Sequence, residues 1–218
     1  MESQAKQHRA VIFADLAGFT ALTEAHGDEE AVALVQEFAQ LIPAKLPANA
    51  SLVKIVGDAA MIVADDCADA LRLAVELEAA SEDLPGRPAL RVGIHAGELV
   101  ERDGDYWGHT VNVAARVAGE ARPSEILITE AVRDQVASSD PELDAQLIDR
   151  GERQLRNVSR PIRLYALLAE DGSYHTDPVC RMRVRESESV GSLTVDGESY
   201  YFCSLRCVSS FLESRSLD

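Results

Sequence analysis

The chain is short of positive charge. It carries 21 Lys and Arg against 37 Asp and Glu over 218 residues, a formal net charge of −16. That balance excludes nucleic acid and anionic membrane as partners, because both need a basic face. No stretch approaches the roughly 20 apolar residues of a membrane span. The opening residues, MESQAKQHRA, lack the apolar run of a secretion signal. These absences lead us to expect a cytoplasmic protein, whose four cysteines are then not expected to form disulfides. What is present is 46% hydrophobic and 27% charged residues, the balance of a globular protein with a real core. The length suits one medium domain plus a small module, or one larger domain.

Residues 9–15, containing AVIFAD, read as a strand, and residues 20–26 as a short helix stopped by Gly27. Asp28 is a plausible N-cap for a second helix with apolar positions at Val32, Val35, Phe38, Leu41 and Ile42, ended by Pro43 and Pro47. Two apolar runs, 51–56 and 59–63, flank Gly57-Asp58, a strong hairpin signal. Residues 67–80 repeat Ala, Leu and Val at helical spacing, and Cys67 near their start reads as a buried, inert thiol. Residues 90–96 form a strand that Gly97 is expected to turn toward 98–101, before a polar RDGD loop. Helices are expected over 110–119 and 130–136, and strands over 125–129, 143–150 and 162–168. Mixed hairpins and crossovers indicate an α+β or α/β sandwich. After residues 170–173 (EDGS), read as a linker, the composition changes: Cys, Tyr and Arg rise, which places a domain boundary there. Cys180, Cys203 and Cys207 crowd into that tail and hint at metal.

Two carboxylates stand out. Asp15 closes the first strand beside a Gly turn and a helix start, a place suited either to a metal–phosphate site or to plain capping. Asp58 sits at a hairpin tip, where it either only makes the turn or joins Asp15. If the strands are neighbours, the pair could hold two Mg²⁺ ions, as phosphoryl chemistry requires.

The segments VIFADLAGFTALTE, LVKIVGDAAMIV, LRVGIHAGELV, GDYWGHTVNVAARVAGEA, SEILIT and RGERQLRNVSRPIRLYAL, in this order, resemble the class III nucleotidyl (adenylate/guanylate) cyclase catalytic domain. The resemblance covers residues 9–168. It implies a ferredoxin-like βαββαβ core in residues 1–169, dimerising head to tail, with ATP converted to cyclic AMP and pyrophosphate. By position, Asp15 and Asp58 match the family's two metal aspartates, which hold two Mg²⁺ or Mn²⁺. Lys54 matches the lysine that reads adenine and Asp105 its acidic partner. Asn112 matches the asparagine that positions the ribose, and Arg116 the arginine that stabilises the transition state. In the family the aspartates come from one chain and the other four residues from its partner, so a homodimer is expected. No sensory or transmembrane region is seen before the catalytic segment, so regulation is expected to come from elsewhere.

The residue types agree with that chemistry. Arg116 follows Asn112 by four positions and shares its helix face. A guanidinium there can fork onto phosphoryl oxygens. Lys54 only donates and Asp105 only accepts, which complements adenine N1 and its 6-amino group. Guanine presents the reverse pattern, and sites built on hydrogen bonds reject such analogues by factors of roughly 10⁴. For the terminal phosphates the candidates are Arg156 and Arg160, where some relatives place a lysine. His109 stands where asparagine is frequent, with no large effect expected. Cyclisation of GTP or a pyrimidine nucleotide, or a non-catalytic nucleotide- or metal-sensing module, are the alternatives.

Residues 174–218 resemble a YHS (TRASH-like) domain, a small treble-clef-like metal module, through DPVC-x-M, YYFCS and a Cys-x₃-Cys spacing. Arg181 replaces a glycine frequent in that family. The three cysteines suit Zn²⁺ or another thiophilic metal, with His175 as the nearest candidate for a fourth ligand. Structural metal, regulatory metal or redox sensing, and no metal all stay open.

Overall fold

The computed structural model describes residues 7–84, 86, 88–168 and 174–215. In chain order the elements are β1 (Gln7–Leu16), α1 (Phe19–His26), α2 (Asp28–Lys45), β2 (Ala50–Val56), β3 (Ala59–Ala64), α3 (Cys67–Ala80), β4 (Leu90–Arg102), β5 (Asp105–Trp107), α4 (His109–Glu120), β6 (Glu125–Thr129), α5 (Glu130–Ser139), α6 (Pro141–Asp144), β7 (Ile148–Arg153) and β8 (Ile162–Leu168). The tail adds β9 (His175–Thr176), β10 (Arg183–Val184), β11 (Gly191–Val195), β12 (Glu198–Phe202) and α7 (Leu205–Arg215). The main sheet runs β2-β3-β1-β4-β6-β8-β7, with β5 paired to β4. Only the β4–β6 pair is parallel. This is the expected mixed α+β architecture.

Side chains alternate across a strand, so β1 serves two cores. Ala10, Ile12, Ala14 and Leu16 face α2, α3 and α5 in one large apolar cluster. Val11 and Phe13 face the other way, toward Met61 and Ala114 of α4. Asp15 continues that second series, which aims its carboxylate at the α4 side. The central strand is apolar on both faces because both are covered.

Two close approaches let α4 lie flat on the sheet. A Cβ on Gly93 would stand 2.0 Å from the Ala118 backbone nitrogen, and one on Gly97 would stand 2.7 Å from Thr110 Oγ1. Gly97 therefore does not turn the chain, as the sequence led us to expect. It lies within an unbroken 13-residue β4, and its missing side chain makes room for Thr110, which donates to the Glu98 carbonyl at 2.8 Å. The turn comes later, at Asp103-Gly104, and returns the chain as β5.

Other boundaries moved for identifiable reasons. Asp28 is the first residue of α2 and Gly27 is its cap; three acids in the first turn favour the helix N-terminus. The helix runs through Pro43 to Lys45. Its buried face is Ala31, Leu34, Phe38 and Ile42, leaving Val32 54% exposed. Residues 143–147 are not strand. Asp140 accepts from the Leu143 N–H and Pro141 occupies the first turn, so a short helix forms before β7.

The tail packs against the helical side of this sandwich. Cys180, Met182, Phe202, Cys207 and Phe211 belong to the same apolar cluster as Leu22 and Leu71. Arg183 is the polar anchor. Its guanidinium donates to Glu78 of α3 at 2.9 Å, to Ser81 Oγ at 2.6 Å and to the Pro88 carbonyl at 2.9 Å, with both charged side chains at most 3% exposed. Glu78 also accepts the Leu90 N–H at 2.7 Å. The expected linker, residues 170–173, lies outside the described residues.

Candidate active site

The β2–β3 hairpin brings the two aspartates together. Gly57, at φ +64°, and Asp58 form its two-residue tip. The Leu16 N–H donates to the Asp58 carbonyl at 3.2 Å, which pins the tip beside the end of β1. On the other flank Arg91 of β4 lies opposite Asp15 in register, and its guanidinium pairs with the Asp15 carboxylate. Burial, and then the Asp58 charge, push the Asp15 carboxyl up to about 6, although Arg91 pulls the other way. Arg91 pairs with Asp15 alone while the Asp58 charge crowds the same carboxylate, and the buried Nε of Arg91 has no hydrogen-bond partner. An all-oxygen donor pair with an excess of negative charge fits Mg²⁺ or Mn²⁺.

A bulge aims Lys54. Between Leu52 and Lys54 the register of β2 against β3 shifts: Leu52 partners Ile62, and Lys54 partners Met61. One extra residue flips the following side chains to the opposite face. Without it, Lys54 would pair with Ala60 and point toward α2 and α3. With it, Lys54 joins the α4 side and reaches Asp105 of β5, its Nζ 2.8 and 2.6 Å from the two carboxylate oxygens. The Lys54 hydrogen bond, with help from the Tyr106 N–H at 2.8 Å, holds Asp105 below the usual carboxylate range. Lys54 Nζ also stands 5.3 Å from the centre of the Trp107 ring.

Asp15 and Lys54 line an open groove of about 500 Å³ together with Tyr106, Trp107 and Asn112, while Asp58, Arg91 and Asp105 stand behind its lining. Arg116 is exposed one helical turn beyond Asn112 on α4. Arg156 and Arg160 are exposed in the loop between β7 and β8, at the opposite edge of the sheet from β2, and line no part of this groove. His109 opens α4. Arg91 escaped the sequence reading. Its signal was register: a charged residue on a central strand opposite Asp15, visible only once the strand order is known.

In the tail the three cysteines converge, with Sγ–Sγ distances of 3.3 Å (Cys180–Cys203) and 3.8 Å (Cys203–Cys207). The histidine beside them is not His175. That ring stacks on Tyr201 at 4.0 Å between centroids. His26, the last residue of α1, occupies the place, its Nε2 3.6 Å from Cys207 Sγ and 3.8 Å from Cys203 Sγ. A tail histidine close in sequence was the natural expectation, but the fold supplies a nearer one from the main sandwich. Cys67 is buried, and burial pushes its thiol up to about 12, in line with an inert role.

Residues 1–169 match the family model described as the adenylate and guanylate cyclase catalytic domain. Among curated relatives, a pH-sensitive adenylate cyclase of Mycobacterium tuberculosis (strain CDC 1551 / Oshkosh) is 37% identical over 156 residues, covering 71% of this chain and 39% of its own. An adenylate cyclase of Streptomyces griseus is 39% identical over 152 residues, covering 66% and 37%. The chain thus spans under two-fifths of the length of these relatives. Among solved structures, an adenylate/guanylate cyclase/hydrolase from Silicibacter pomeroyi superposes with a TM-score of 0.64 at 30% identity, over 75% of this chain and 98% of that one. An adenylate cyclase from Trypanosoma brucei gives the same TM-score at 26% identity, over 78% and 95%. With its fold, its groove and a family match over residues 1–169, the chain belongs to the adenylate and guanylate cyclase catalytic-domain family.

Proposed function

We propose that this chain is an adenylate cyclase that converts ATP to 3′,5′-cyclic AMP and pyrophosphate. The observation that carries the reading is the Lys54–Asp105 pair, 2.6–2.8 Å apart, whose lysine lines the groove with Asp15 and Asn112. One pure donor and one pure acceptor, held side by side, complement the N1 and 6-amino edge of adenine and oppose that of guanine. Relatives at 37% and 39% identity bear the name adenylate cyclase.

In this reading Asp15 and Asp58 hold the two divalent ions. When bound, those ions lower the pKa of the ribose 3′-hydroxyl and neutralise charge on the triphosphate. Lys54 and Asp105 seat the base, and Asn112 orients the ribose so that O3′ stands in line with the α-phosphorus. The new O3′–P bond forms as the bond from the α-phosphorus to the bridging oxygen breaks. Pyrophosphate leaves, and the 3′-hydroxyl proton passes to solvent. Arg116 forks onto the oxygens where charge accumulates. Arg91, paired with Asp15 in this structure, is placed to take a terminal phosphate oxygen, while Arg156 and Arg160 would reach the triphosphate only of a second copy. Exposed Val56, Val100 and Trp107 give that copy an apolar seat. Residues 174–218 are read as a YHS-type module on the resemblance stated above.

The test is incubation with ATP, GTP, CTP and UTP, each with Mg²⁺ and with Mn²⁺, and product identification by mass spectrometry, with Asp15→Ala as the blank. Cyclic AMP from ATP alone, lost in the variant, is the expected result; cyclic GMP or a cyclic pyrimidine product would overturn the base assignment. Mixing inactive Asp15→Ala and Arg116→Ala chains tests the shared site. If each site draws these residues from different chains, mixed dimers regain one intact site, about a quarter of full activity at equal mixing. If both come from one chain, none returns.

A further inference from the structure

The structure assigns a metal site that joins the tail to the catalytic sandwich. We propose that His26, Cys180, Cys203 and Cys207 bind one thiophilic divalent ion of the Zn²⁺ class, tetrahedrally, with Glu30 as the positioning residue behind His26. The four ligand atoms lie within 4.8 Å of one another. Four of the six edges between them come close to those of a coordination tetrahedron. Bonds of about 2.3 Å to sulfur and about 2.05 Å to nitrogen give S–S edges of about 3.8 Å and S–N edges of about 3.6 Å. The observed edges are 3.8 Å for Cys203–Cys207, 3.6 Å for His26–Cys207 and 3.8 Å for His26–Cys203, with Cys180–Cys203 tighter at 3.3 Å.

The surroundings are those of a built site. The far ring nitrogen of His26, Nδ1, lies 3.2 Å from Glu30 Oε2, in the first turn of α2. A carboxylate there holds the proton on Nδ1 and turns the Nε2 lone pair toward the thiols. Fully buried Asp177 braces both cysteine loops, accepting the Cys180 N–H at 3.2 Å and the Cys203 N–H at 2.8 Å. Arg206 donates to the Ala25 carbonyl at 3.0 Å and fixes α7 against the end of α1. Three thiolates and an imidazole select Zn²⁺ and its analogues over the oxygen-seeking ions suited to the groove. His26 closes α1, the helix that follows Asp15, so the ion would tie the tail to the segment leading out of the catalytic groove.

The test uses the full chain, reduced and stripped by chelator, titrated anaerobically with Co²⁺ and then competed with Zn²⁺. One equivalent of Co²⁺ with a tetrahedral visible spectrum and thiolate charge-transfer bands is expected, displaced by one equivalent of Zn²⁺. His26→Ala should weaken binding by about 100-fold or more, and Glu30→Gln by about 10–100-fold with the band shape kept. His175→Ala should change neither. His26→Cys should retain binding and raise the charge-transfer intensity by about one-third, four thiolates replacing three. This variant keeps the test decisive should His26→Ala not fold. The proposal falls if the reduced chain binds no Co²⁺, if Cys180 and Cys203 form a disulfide under reductant, if the His26→Cys spectrum keeps the three-thiolate intensity, or if His175→Ala is the change that abolishes binding. None of these readouts depends on turnover, so they stand apart from the proposed cyclase activity.

Discussion

Two arginine–carboxylate pairs lie on β4 or beside it, and they differ in almost everything but chemistry. Arg183–Glu78, at the seam with the tail, is at most 3% exposed, and each member has further hydrogen bonds. Arg91–Asp15, in the groove, is 34% and 18% exposed, crowded by Asp58, and leaves Arg91 Nε unpartnered. A buried pair persists only when every polar atom is met. A pair with surplus charge and an orphan donor is arranged for a ligand rather than for folding. Nearness of charge alone says little about role; the degree of hydrogen-bond satisfaction separates the two.

The largest effect that would test this contrast is on turnover. Asp15→Ala should lower cyclisation by about 10³-fold or more, since the cation site loses half its carboxylates. Thermal denaturation should meanwhile show little loss of stability. Destabilisation as large as at the seam would erase the distinction. At the seam, Glu78→Gln should cost about 3–5 kcal/mol by leaving Arg183 buried and unpaired. Replacing both partners by apolar residues, as in Glu78→Leu with Arg183→Met, should recover much of that in denaturant titrations.

Acid should act with opposite signs on two groups of the α4 face, His95 and Asp15. His95, half-buried and 2.8 Å from Thr129 Oγ1, is held down to about 4, chiefly by desolvation. The unfolded chain then binds the extra proton between about 6.5 and 4, so stability falls as pH drops through that window, by up to about 3 kcal/mol. Asp15 is raised to about 6, so the folded chain binds the extra proton, and this group alone favours folding at low pH, an advantage lost as pH rises through about 6. Its carboxylate, needed for a cation, disappears below about 6, so apparent Mg²⁺ affinity should weaken there. Melting and metal titrations at pH 5, 6 and 7 resolve both signs. Smallest of all, Val32→Glu should shift stability within about 0.5 kcal/mol, whereas Leu34→Ala, two residues away, should cost about 2–5 kcal/mol. A reversal would return α2 to the face read from its sequence.

Local signals were legible because they are short-range. Gly57-Asp58 marked its hairpin, residues 67–80 gave their helix without adjustment, and strands 125–129 and 162–168 fell where their apolar runs placed them. What failed was misassigned by rules that see only neighbours. Gly97 looks like a turn, but its lost side chain serves Thr110, a contact 13 residues away. Val32 fits an apolar periodicity as well as Leu34 does, and only the position of the sheet chooses between the two faces.

The amino-acid order by itself determined the α+β class, the acidic surface, the family motifs and the residue types of the groove, because these depend on composition and spacing. Tertiary structure decided which groups meet. A bulge in β2 sends Lys54 to Asp105 rather than into the helical core. Strand register sets Arg91 against Asp15. Packing of the tail brings His26 to three cysteines more than 150 residues away, where His175 was nearer in sequence. Such partners are chosen by the geometry of paired strands and docked helices, which bring distant segments within ångströms, and no local pattern encodes that distance.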